Sequence, residues 1–146
     1  MSEESTMSTV PKWFLGVVIF AIIWNLLGVI AYIGQMMMTP EALSWLSPEE
    51  QALFENTPAW ATGAFAFAVW GGLIGSVLLL LKKQTSKIVL IISLLGILVQ
   101  MTHSLFMSNN YDVYGPGGLV MPVMVLIIGI GLVWLSDKGI KEGWIS

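Results

Sequence analysis

Few side chains in this sequence are of a type that does chemistry: Trp24, Asn25, Tyr32 and Gln35 in one apolar block, Trp70 in a second, and Gln100, His103 and Ser104 in a third. At the helical rise of about 1.5 Å per residue, Trp24 and Asn25 lie roughly 17 Å from the start of their block. Trp70 lies roughly 15 Å from the outer end of its block and Gln100 roughly 20 Å along the third, so all four share a central depth. Indoles favour the edges of a hydrocarbon layer and amides inside it need partners. The residues are therefore expected to face inward, as a ligand site formed by Trp24, Asn25, Tyr32, Trp70, Gln100 and His103. Aromatic planes beside amides suit a neutral, hydroxyl-rich ligand such as a sugar. They suit a quinone headgroup too, and amides that merely link helices would look the same. His103, the single imidazole, stands nearer the outer boundary, and its competing role is an interhelical hydrogen bond.

Other chemistry is excluded or unsupported. No cysteine is present, so disulfides, thiol nucleophiles and thiolate metal sites are absent. The methionines other than Met1 and Met7 gather in the outer half, but without M-x-x-M spacing, and no metal or cofactor is expected. No nucleophile is spaced with a base and no phosphate-binding loop occurs, so an enzyme is not expected. The six cationic residues are dispersed lysines, which disfavours nucleic acid as a partner.

The elements that must hold these side chains follow from composition. Of 146 residues 56% are hydrophobic and 10% charged, and the mean hydropathy is +0.83. The apolar residues fall into four blocks, near 13–35, 59–81, 87–107 and 118–136, uncharged apart from Lys87 at the edge of the third. About 20 helical residues cross a hydrocarbon layer of about 30 Å, whereas barrel strands are short and alternating. The expectation is an all-α bundle of four transmembrane helices in the lipid bilayer, a single domain over 12–144 behind a tail at 1–11. No carboxylate, Lys or Arg lies inside a span, which disfavours proton-coupled transport through a buried acid.

Lys12, Lys82, Lys83, Lys87, Lys138 and Lys141 flank one side of these spans, while Glu41, Glu49, Glu50, Glu55 and Asp112 occupy the loops of the other. The positive-inside rule puts both termini in the cytoplasm. Trp13, Trp134 and Trp144 would then form the inner aromatic belt, and Trp60 with Tyr111 or Tyr114 the outer one. In the outer loop 36–58, Thr39-Pro40-Glu41 and Ser47-Pro48-Glu49-Glu50 each set a capping hydroxyl before a first-turn proline and early acids. They predict short amphipathic helices near 40–46 and 48–55. Tyr114-Gly115-Pro116-Gly117-Gly118 predicts a turn into the last span.

Helices in lipid associate through small residues. Ala64, Ala68, Gly72 and Ser76 recur at i+4 and predict a contact surface, within the chain or against another.

The motifs Trp24-Asn25-Leu26-Leu27-Gly28, Thr57-Pro58-Ala59-Trp60-Ala61, Gln100-Met101-Thr102-His103-Ser104 and Tyr114-Gly115-Pro116-Gly117-Gly118 carry a resemblance. Over residues 12–144 the chain resembles a group of small four-helix bacterial inner-membrane proteins often labelled as sugar transporters. The resemblance implies a four-helix fold, a bacterial inner-membrane location and solute transport, and transfers no binding residues. The chain lacks the Pro-Gln helix pattern of the well-studied small sugar permeases. Two expectations follow: a small-solute permease working as a homo-oligomer, or a non-transporting accessory subunit whose small-residue stripe docks on other membrane subunits.

Overall fold

The computed structural model describes residues 10–107 and 116–146. Most of the tail at 1–11, and the belt and turn residues Tyr111, Asp112, Tyr114 and Gly115, lie outside the described residues. Helix α1 spans Lys12–Met36, α2 Pro40–Ser44, α3 Pro48–Glu55, α4 Ala59–Leu80, α5 Thr85–Thr102 and α6 Val120–Lys141. A π-helical turn, His103–Met107, prolongs α5, and a 3-10 turn, Pro116–Leu119, leads into α6. Four of these helices are long and apolar enough to cross a membrane, which makes the chain a multi-pass, all-α membrane protein.

Local chemistry sets the helix ends. Thr39 Oγ1 accepts from the Ala42 N–H at 3.1 Å and Ser47 Oγ from the Glu50 N–H at 3.2 Å, while Ser47 Oγ donates to the Glu50 carboxylate at 3.1 Å. Both caps precede a first-turn proline, whose missing N–H costs nothing there. At the opposite end of the bundle, α4 and α6 stop in Schellman motifs. Lys82 N–H donates to Leu79 O and Lys83 N–H to Leu78 O; Gly143 N–H donates to Ile140 O and Trp144 N–H to Gly139 O. The left-handed position is Gly143 (φ 77°) in one and Lys82 (φ 59°) in the other, so only α6 uses the residue that adopts it freely.

Each helix packs on the next in the order α1, α4, α5, α6, with a smaller contact between α4 and α6. The α4–α5 seam is closest: Gly96 faces the backbone of Ala64 and Ala68, and Ser93 Oγ donates to Ala68 O at 2.6 Å. Ala64, Ala68, Gly72 and Ser76 are all buried inside the chain, between α1 and α5. The docking surface expected for an accessory subunit is thus already covered by the chain's own helices.

A core of Phe14, Val18, Ala21, Leu79, Leu90, Leu132, Leu135 and Ile145 fills the end that carries the lysines. The final residues fold back over it. Trp144 meets Trp13 and Phe14 edge to face, each at 5.5 Å, and Ser146 exchanges backbone hydrogen bonds with Lys82 and Gln84. Asp137 bridges Lys87 and Lys141, each at 2.9 Å. This lysine end is tightly tied, and the loop end is where space remains.

Candidate ligand cavity

Above that core the four long helices enclose a cavity of about 380 Å³. Trp24, Asn25 and Gly28 of α1, Ala68 and Gly72 of α4, Ser93 and Gln100 of α5, and Met121, Pro122 and Gly129 of α6 are among its walls. No charged side chain among the described residues lines it.

Asn25 is the deepest polar group, only 9% exposed. Its Nδ2 donates to Ala21 O at 2.8 Å, one turn back, and across to Ser76 Oγ on α4 at 3.3 Å. Because a carbonyl only accepts, the first bond fixes which end of the amide is nitrogen. Ser76 Oγ donates onward to Gly72 O at 2.7 Å. Oδ1 is left facing Gly72, and no donor among the described residues reaches it. A Cβ at Gly72 would fall onto that oxygen, so glycine there is what admits the amide.

Gln100 lies at the same level, about 22 Å along α5 from Thr85 against about 20 Å for Asn25 along α1. It is half-buried and forms no hydrogen bond with any described residue. Gln100, Ser104 and Phe65 also border a second, smaller cavity of about 160 Å³ toward the loop end. Gln35, Leu53, Thr57, Ala61, Thr62 and His103 complete this chamber, which is the more polar of the two. Leu53 comes from α3, so this short helix borders the chamber, while Trp45 between α2 and α3 stays 79% exposed.

The structure sorts the six sequence-derived candidates. Trp24, Asn25 and Gln100 share the main cavity; His103 joins Gln100 in the second. Tyr32 lines neither and packs edge to face on Phe65 at 5.6 Å, bracing the partition between them. Trp70 departs from the expectation: it is 40% exposed and lines neither cavity. Two helical residues turn the chain about 200°, so Trp70 points away from the face that carries Ala68 and Gly72. His103 is 9% exposed and stacks edge to face with Trp60 at 5.4 Å, with no hydrogen bond to a described residue.

Sequence reasoning did not anticipate Ser76 as the partner of Asn25, Phe65 as the partition, or Met121 and Pro122 as wall residues. The i+4 stripe contained the first signal, because Ser76 belongs to it. The π-helical turn at His103 had none; such turns recur at functional sites because they break the helical register locally.

Compared with known protein families, curated proteins and solved structures, the chain matches none.

Proposed function

We propose that this protein is a permease for a small neutral solute, held between Trp24, Asn25 and Gln100 and passed through the Gln100–Ser104 partition toward the loop end. The observation that supports this most directly is the pair of amides at one depth, Asn25 with an acceptor and Gln100 with both functions that no described residue engages, on a cavity whose described lining is uncharged. Unmet hydrogen-bonding groups in an apolar setting favour a ligand that supplies the missing partners. The cavity volume falls within the range of about 300–1,000 Å³ usual for small-molecule sites. Sugars are the class the family resemblance implies, and the apolar walls favour a solute with an unsubstituted face over one hydroxylated all round.

In this reading the lysines face the cytoplasm of a bacterial inner membrane and the acidic loop faces outward. The core at the lysine end blocks a straight path through one chain, so passage requires the helices to move, in an assembly of several copies. Native mass spectrometry of protein released directly from membranes tests the site. The wild type and Trp70→Leu are expected to retain a neutral ligand mass that Asn25→Ala with Gln100→Ala loses. A wild type that carries no ligand, and proteoliposomes that take up no labelled D-glucose or glycerol beyond protein-free controls, would remove the proposal.

A further inference from the structure

The cavity's ligand class is narrowed by how the cavity meets its surroundings. Helices α1 and α6 form the two ends of the packing order and are joined through the core at the lysine end. They are not packing neighbours in their own right, and both line the cavity. The walls contributed by α1 include Leu27, 59% exposed, and those of α6 include Met121, also 59% exposed. Leu27 stands about 22 Å from the start of α1 and Val125 about 24 Å from the end of α6, at one depth on either side of the gap. At that depth a membrane protein is surrounded by hydrocarbon, not water. The space between α1 and α6 at this level therefore faces lipid tails, and the cavity-lining residues that the two helices contribute there and toward the loop end, Leu27, Ala31, Met121 and Val125, are all apolar.

From this geometry, and resting on the reading of the cavity as a solute site, we infer that the ligand is a membrane-dissolved neutral amphiphile that enters sideways between α1 and α6. Its hydroxyl or carbonyl head reaches Asn25 and Gln100, and its apolar body trails through the gap. A hydroxyl donates to Asn25 Oδ1, which accepts from no described residue, while both hydrogens of Nδ2 are engaged by Ala21 O and Ser76 Oγ. A carbonyl accepts from the Gln100 amide. The uncharged lining excludes ionic heads, since a charge there would be desolvated without a partner. A free sugar, insoluble in hydrocarbon, has no access by this route.

The chain has no cysteine, so a pair introduced as Leu27→Cys and Val125→Cys is unique and can be tethered across the gap with a reducible bis-thiol reagent. The probe is a decyl-chain benzoquinone in nanodiscs holding the full chain, read by quenching of the fluorescence that Trp24→Phe removes. Saturable quenching is expected, slowed about tenfold or more by the tether and restored by reduction, which shows that the tethered protein stayed folded. Gln100→Ala is expected to weaken the carbonyl-headed quinone and Asn25→Ala to weaken a decyl-chain phenol, each about fivefold, the effect of one neutral hydrogen bond. If D-glucose protects Trp24 from an aqueous quencher and the tether changes nothing, lateral entry is wrong while the solute site stands. If neither probe reaches Trp24, both readings fall. A disulfide between two copies at Leu27→Cys in native membranes would put a second chain in the gap and overturn the inference.

Discussion

Gly96→Ala is the sharpest test of how the cavity is held in shape. A Cβ at Gly96 would lie 2.8 Å from Ala64 O, 2.9 Å from Ala68 N and 3.1 Å from Phe67 Cβ. Two of these are backbone atoms of a helix and have no rotamer to yield. To restore a carbon contact of about 3.5 Å, α4 and α5 must part by roughly 0.6 Å. The Ser93–Ala68 hydrogen bond, 2.6 Å long, stretches by a similar amount. Overpacking of this kind costs about 1–3 kcal/mol, against which Ala gains up to about 1 kcal/mol over Gly in helix propensity. Gly16→Ala is the control, because a Cβ there meets nothing within 4 Å. It receives the propensity gain alone. The two variants should therefore differ by about 2 kcal/mol, roughly a thirtyfold ratio of folding equilibrium constants. Reversible unfolding in mixed detergent–lipid micelles measures this, and equal shifts for both variants would refute the close α4–α5 seam. Gln100 is one turn beyond Gly96, so the same displacement should also weaken binding at the cavity, which Gly16→Ala should leave alone.

The helix stops and caps give two further tests. Lys82→Gly should stabilise by about 1 kcal/mol by relieving the left-handed conformation of a residue with a Cβ, and Gly143→Ala should destabilise by about 1–2 kcal/mol for the converse reason; both are read in the same unfolding assay. Ser47→Ala should cost about 1 kcal/mol and act locally, raising amide hydrogen exchange across Pro48–Glu55 while leaving the four long helices protected.

What the sequence determined by itself is the one-dimensional part of the structure. Water against hydrocarbon is a contrast along the chain, so the four spans, their ends and the depths of Asn25 and Gln100 could be read from residue order alone. The caps at Thr39 and Ser47 were legible because they are local hydrogen bonds between residues three apart. Which way a side chain points around its helix was much harder to read. In water the buried stripe of a helix is apolar and the rest polar; in lipid both sides are apolar, and that contrast vanishes. Depth placed Trp70 with Trp24, but only packing showed that it faces outward, although its half-turn offset from the Ala68–Gly72 face was already a clue. Tertiary structure alone decided that Gly72 lies against Asn25, that the small-residue stripe is consumed inside the chain, and that Gln100 stands between two cavities. It also decided that α1 and α6 line one cavity without packing on each other as neighbours, because that depends on how two distant segments are placed, which neither segment's residues record.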